Sequence, residues 1–451
     1  MPAAVTIRRG VGWSYTSYAV EASLGLAAVA VVLRHVSSAE YGALLLALSL
    51  ASLTTILDFG LLGLLIPAVV RQREQNGPDA PGRLLSAALL WLGTAGVFAM
   101  LGCGLMAALI PGPFNISDGL VGVTRQALLL AGAAVLLTFL ASALELTHAA
   151  FGDFGRISRV QIIVAVFRAA ATVAAMTAGY GVVSLALIHV GAALLRLILL
   201  ASSLSVHTGS LRFSFPGSGV SPLRPLLARR SWATADNIAR RAASAADSIA
   251  LGALANTTAI ATFNVGSRIP GHLHVVTTRG IDVTMPTLST HHAREAHEDF
   301  RALFARTIVI AFSVLAPVVV AGIVLAPWIV RLLGGDSYSA AAPVLQLLLI
   351  GVGIRAFSIP SYNILYATGR VDTAARIGGA EAIAKILLAV ILIPPYGATG
   401  AAFAALASTA VLTFIWFLPA AMGAAGLSWS DLIREFGRAF RAMIPAARRA
   451  G

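Results

Sequence analysis

The chain has 451 residues, 58% of them hydrophobic and 11% charged, and a formal net charge of +13. A mean hydropathy of +0.86 excludes an ordinary soluble domain and points to a polytopic membrane protein. The basic residues are scattered between apolar runs, which argues against a nucleic-acid surface and marks them as topology signals.

The first apolar run, 13–33, follows Arg8 and Arg9, yet it is long and holds Glu21, so it reads as an uncleaved span and not as a leader. A bilayer core takes about 20 apolar residues per helix. Further spans of that order are expected at 41–66, 84–110, 124–146, 160–179 and 182–204. The third contains Cys103, the single cysteine, which excludes an intrachain disulfide or a CxxC motif and reads as a small packing residue. A linker at 205–230, punctuated by Pro and Gly, precedes six more spans at 231–254, 259–287, 305–333, 341–368, 375–393 and 399–423. Beyond them, 427–445 sets Trp429, Leu432, Ile433 and Phe436 on one helical face and Arg434, Arg438 and Arg441 on the other. That pattern suits a helix lying on an anionic inner leaflet.

Twelve spans with the N-terminus inside leave 21 arginines in cytoplasmic segments and only Arg34, Arg125 and Arg331 opposite them. This is the asymmetry the positive-inside rule demands, with both termini cytoplasmic. The segment 231–254 carries Asp236, Arg240, Arg241 and Asp247, but it must still cross, because otherwise every later loop would change sides. Outer loops are short and leave no room for an extracytoplasmic catalytic domain. Sliding the chain against itself by 219 residues aligns Trp13 with Trp232 and Ile110 with Ile329. Six spans per repeat put both halves in the same direction. The expected architecture is all-α and polytopic, with twelve transmembrane helices in two six-helix lobes, 1–204 and 231–423, around a central cavity. The linker 205–230 and an amphipathic tail, 424–451, complete it.

Each Asp or Arg at a helix centre costs about 2.5–3.5 kcal/mol on the translocon scale, so these charges cannot face lipid. At about 100° per residue, Asp236, Arg240 and Asp247 share a narrow face, and Arg241 widens the polar arc. On the next span Arg268, His272, Arg279 and Asp282 share another face. Two readings stand side by side: ion pairs that hold helices together, or the lining of a solvated path. Arg355 shares a face with Tyr362 and Tyr366, while Glu381 and Lys385 stand at i, i+4. Arginine clamps phosphate oxygens with paired donors, so Arg240, Arg241, Arg268, Arg279 and Arg355 are the candidate anion-binding residues. Glu21, Asp58, Asp247 and Asp282 are the candidate coupling or gating carboxylates. No metal or cofactor is expected, and H+ or Na+ stands open as the coupling ion.

The segment SAEYGALLLALSLASLTTILDFGL, 38–61, resembles the second-helix signature of bacterial polysaccharide flippases of the multidrug/oligosaccharidyl-lipid/polysaccharide exporter (MOP) superfamily. LLGGDSYSAAAPVLQLL (332–348), NILYATGRVDTAAR (363–376) and PPYGATGAAFA (394–404) are similar to the later helices of that family. The resemblance implies alternating access, a polyprenyl-pyrophosphate-linked oligosaccharide as cargo, the bacterial cytoplasmic membrane as location, and a polysaccharide polymerase and other assembly proteins as partners. Nucleic acid is not among the expected partners. The two extra C-terminal helices of lipid II flippases have no counterpart in the sequence, which turns the expectation away from a peptidoglycan precursor. A drug/cation antiporter of the same superfamily and a membrane polysaccharide polymerase or glycosyltransferase remain the alternatives. The first should favour acidic cavity residues, and the second should carry a large outer loop.

Overall fold

Hydrocarbon offers no partner to a backbone N–H or C=O, so apolar runs of this length satisfy their own backbone as helices. The structure, a computed structural model, describes residues 2–58, 60–76, 81–110, 112–207, 223, 232–434 and 437–438, and every regular element among them is helical. In chain order these are α1 (Pro2–His35), α2 (Ser38–Leu53), α3 (Leu61–Asn76), α4 (Pro81–Leu109), α5 (Asp118–Ala150), α6 (Phe154–Thr177) and α7 (Val183–His207). There follow α8 (Trp232–Leu254), α9 (Thr257–Asp282), α10 (Met285–Ala293), α11 (His297–Gly334), α12 (Ala341–Ala367), α13 (Val371–Leu412) and α14 (Leu418–Ala425).

Among the described residues, nine helical stretches are long and apolar enough to cross a membrane. The last of them is double: after Pro394 and Pro395, Gly397 leaves the helical region (φ 55°, ψ −129°), and two helices meet at that kink. With α8 and α9, whose polar faces carry the intramembrane charges, the count reaches the twelve spans read from the sequence. The repeat is visible in the boundaries, since α1 and α8 end 219 residues apart and α2 and α9 begin 219 apart. Wide apolar faces stay open, as on α4 at Phe98, Leu101, Leu105 and Leu109. In water such a stripe would aggregate, and in a bilayer it is the lipid face.

The described chain forms two compact units, Met1–Ala261 and Thr262–Gly451. In the first, α5 packs against α2, α4 and α7, and α1 packs against α6. Glycine sets the α4–α5 spacing, since a Cβ on Gly132 would lie 2.8 Å from that of Cys103. Cys103 is fully buried there, as its packing role requires. The loop before α5 closes the end of α8: Asn115 donates its backbone N–H to Gly252 O (2.9 Å) and its side-chain amide to Ala253 O (3.0 Å), two carbonyls a helix C-terminus leaves without partners. In the second unit α12 lies between α11 and α13. A Cβ on Gly266 of α9 would come within 2.7 Å of Val344, so that helix approaches α12 closely.

The expected linker lies almost wholly outside the described residues, as does most of the amphipathic tail. The start of the tail is well defined. Leu427 and Leu432 are buried with Phe300, Phe304, Leu418 and Met422, while Trp429 and Ile433 are exposed. Ser428 and Asp431 form a reciprocal cap: Asp431 N–H donates to Ser428 Oγ (3.2 Å), and Ser428 N–H donates to Asp431 Oδ2 (3.0 Å). The Ser428 hydroxyl, its backbone N–H and then Arg434 hold the Asp431 carboxyl down to about 2. Because the folded value is depressed, the cap is complete above the ordinary carboxylate range and is lost as pH falls through about 2. Ser428→Ala is expected to return the Asp431 titration toward its ordinary value, and Arg434→Ala to move it less. Carboxyl-resolved NMR of the detergent-solubilised protein measures both.

Candidate functional site

The second apolar run, read from the sequence as one span at 41–66, is interrupted in the structure. α2 ends at Leu53, a 3-10 turn covers Thr54–Asp58, Gly60 adopts φ +77°, and α3 resumes at Leu61. Local side chains make the interruption affordable in hydrocarbon. Ser52, Thr54 and Thr55 donate their hydroxyls to the carbonyls of Ser49, Ala51 and Ser52, each at 2.7 Å. Asp58 Oδ1 accepts the Gly60 N–H at 2.9 Å, an Asx turn that fixes the carboxylate in place.

Arg241 of α8 reaches this break. Its guanidinium lies 3.5 Å from Asp58 Oδ2 and donates to Thr55 O at 3.4 Å. The Asp58 side chain is 3% exposed and that of Arg241 is 40% exposed. Among the described residues Asp58 Oδ2 accepts no hydrogen bond. Both contacts of the arginine exceed the roughly 2.7–2.9 Å of a closed charge-assisted bond. Arg241 shares its face of α8 with the buried Ala245 and Gly252, the face turned to α2, where Gly252 meets Leu46. Arg240 and Asp247 lie about 100° or more round the helix from it. The side chains of Asp236 and Arg240 lie outside the described residues, and Asp247 is half-buried.

Two further pairs occupy the first unit. Glu21 of α1 accepts from Arg168 of α6 at 3.1 Å, both half-exposed. Glu145 of α5 is bonded to Arg196 of α7 and lies 3.5 Å from the Gln161 amide, while Ser17 donates to Gln161 Oε1 at 3.2 Å. Nothing in the residue spacing points to these partners, which come from four different helices. Glu145 and Arg196 are about a quarter exposed, so breaking the pair costs less than the about 3–5 kcal/mol of a dry one. Glu145→Ala and Arg196→Ala are each expected to destabilise by about 2 kcal/mol, and the double variant by no more than either. Labelling of the buried Cys103 thiol on heating reads this directly.

In the second unit α9 is two-faced, as its spacing predicts. Phe263, Gly266, Pro270 and Ile281 are buried, while Arg268, His272 and Arg279 are half-buried on the opposite side and Asp282 is exposed. Asp282 accepts from the Asn363 amide at 3.2 Å. Arg355 lies 3.6 Å from Glu381, which also accepts the Thr409 hydroxyl at 2.7 Å. Tyr362 and Tyr366 stack on each other at 4.4 Å. His274 points away from the arginine face, and its Nδ1 meets no partner among the described residues.

Among the described residues, then, Glu21, Asp58, Glu145 and Glu381 each face an arginine inside a span. No group of His, Cys, Asp and Glu among them is arranged to hold a metal. The chain is thus an all-helical polytopic membrane protein with ions inside its spans, and known structures share its fold. The fold matches a multidrug resistance MATE family transporter of the MOP superfamily in an inward-facing conformation, with TM-score 0.78 and 14% identity, over 90% of this chain and 95% of that one. It matches the lipid II flippase MurJ in an inward closed conformation with TM-score 0.74 and 14% identity, over 95% and 90%. A MOP superfamily transporter from Pyrococcus furiosus matches with TM-score 0.58 and 14% identity, over 94% of each chain. No curated protein matches by sequence. The family model described as "Polysaccharide biosynthesis protein" matches residues 31–343, and the chain belongs to that family.

Proposed function

We propose that the protein is a flippase that moves a polyprenyl-pyrophosphate-linked oligosaccharide from the cytoplasmic to the outer leaflet of a bacterial cytoplasmic membrane by alternating access, with both termini inside. The observation that carries this reading is Arg241, a guanidinium within a span, two-fifths exposed and held among the described residues by two long contacts. Membership of a polysaccharide biosynthesis family supports the cargo class. Arg240, Arg241, Arg268, Arg279 and Arg355 are assigned to the anionic group, because paired N–H donors match phosphate oxygens. Asp247, Asp282 and Glu21 are assigned to coupling or gating, and a polysaccharide polymerase is the natural partner to receive the cargo.

The fold similarity to a multidrug transporter favours a second reading, a drug/cation antiporter. Against it, Asp58, Glu145 and Glu381, three of the carboxylates such a site would use, already face arginines. Reconstitution in vesicles separates the two. Leaflet exchange is expected for a fluorescent undecaprenyl-pyrophosphate oligosaccharide, and not for the same oligosaccharide on an uncharged polyprenyl ether or for a cationic dye. Transport of the dye without exchange of the lipid would establish the antiporter instead.

A further inference from the structure

We propose that Asp58 is the resting counter-ion of Arg241, which an incoming phosphate group must displace, and that this competition sets which anions the site accepts. The inference rests on the assignment of Arg241 to the cargo's anionic group.

The two partners differ in their freedom to move. Asp58 is buried in the break of the second span, with one oxygen tied to the Gly60 N–H. Arg241 sits on a long side chain and is two-fifths exposed. When the pair opens, the arginine leaves. What it leaves is poor: a carboxylate oxygen at 3.5 Å and a backbone carbonyl at 3.4 Å. A phosphate offers two oxygens at about 2.7–2.9 Å in the fork geometry of a guanidinium, and so outcompetes both. A spherical halide offers neither paired oxygens nor directional bonds, and the carboxylate keeps the arginine from it. Asp58 therefore lowers affinity for every anion while raising discrimination in favour of phosphate esters, in the way a repulsive element confers specificity. The Thr54–Asp58 turn is the structural reason the competitor is there, since it places the Asp58 carboxylate and the Thr55 carbonyl side by side against α8.

The test is equilibrium binding of inorganic pyrophosphate to the full-length protein in nanodiscs, with chloride as competitor. Asp58→Asn removes the charge but keeps an oxygen acceptor for the Gly60 N–H, and Asp58→Ser keeps a shorter one should the asparagine variant fold poorly. Asp58→Asn is expected to tighten pyrophosphate about tenfold and to make chloride an effective competitor. Arg241→Ala weakens pyrophosphate about tenfold or more, and adding Asp58→Asn to it changes nothing further. Unchanged or weaker binding in both Asp58 variants overturns the proposal, and so does an equal gain in the Arg241→Ala background, which would mark a diffuse charge effect. If Arg241→Ala binds pyrophosphate as tightly as the parent, the cargo assignment of Arg241 falls as well. If Arg241→Ala weakens binding and Asp58→Asn does not tighten it, only the counter-ion role falls.

Discussion

Arg241→Ala is expected to slow leaflet transfer of the lipid-linked oligosaccharide by more than about a hundredfold. Two charge-assisted hydrogen bonds to a phosphate contribute about 3 kcal/mol together, and each 1.4 kcal/mol is a factor of ten. The same change strands Asp58, a buried carboxylate whose nearest cation is removed, and that also threatens the fold. The double variant Arg241→Ala/Asp58→Asn separates the two effects. Removing both charges restores stability, because no ion is left buried alone, but it does not restore transport. Arg241→Lys keeps the charge and loses the fork, so transfer is expected at about a tenth of the parental rate. Recovery of full transport in the double variant would show that Arg241 serves only to neutralise Asp58.

The second large effect is expected at Gly42. A Cβ there would overlap the backbone carbonyl of Thr257, where α2 crosses the start of α9. A side chain end can turn away, but a backbone oxygen cannot, so even alanine forces the two helices apart. That separation also pulls the buried Leu46 away from Gly252 of α8, against which it packs. Gly42→Ala is expected to destabilise by about 2–4 kcal/mol, at the upper end of overpacking effects, and Gly42→Leu to prevent accumulation of folded protein. Cys103, buried and single, again reports unfolding through its thiol. Gly119→Ala is the control: nothing stands near that position, it lies in the first turn of α5, and alanine there is neutral or slightly stabilising. A Gly42→Ala protein as stable as the Gly119→Ala control would contradict the close crossing.

Much of this architecture is legible in the amino-acid order. Hydrophobic length finds the spans, because hydrocarbon enforces helix on any run long enough to cross it. The offset of 219 reappears in helix ends for the same reason, and the two-faced character of α9 follows from the spacing of Arg268, His272 and Arg279. The break in the second span was less legible. Thr54, Thr55, Asp58 and Gly60 are each tolerated in a helix, and only together do their side chains offer the backbone an alternative set of hydrogen bonds. Those four residues, read as a group, were the available signal.

The pairing of charges between helices was not legible. Nothing on its own helix pairs with Arg196 at i, i+3 or i, i+4, and it meets Glu145 from another helix. Glu381 stands four residues before Lys385, and it also faces Arg355 of α12 and Thr409 beyond the Gly397 kink. An i, i+4 rule sees only one helix, whereas in a low-dielectric interior the nearest opposite charge on any helix decides the pairing. The ion-pair and solvated-path readings of the buried charges therefore meet in one residue, since Arg241 has a carboxylate beside it and also an exposed flank.

The central claim is that guanidiniums within the spans are reached by water and take up an anionic group. Arginine-specific labelling of proteoliposomes with phenylglyoxal, mapped by mass spectrometry with and without inorganic pyrophosphate, tests it most directly. The account predicts that Arg241, Arg268 and Arg279 are modified and that pyrophosphate protects them, while the Glu145-bound Arg196 is protected in both conditions. Modification that pyrophosphate leaves unchanged, or no modification of these three residues at all, would contradict it.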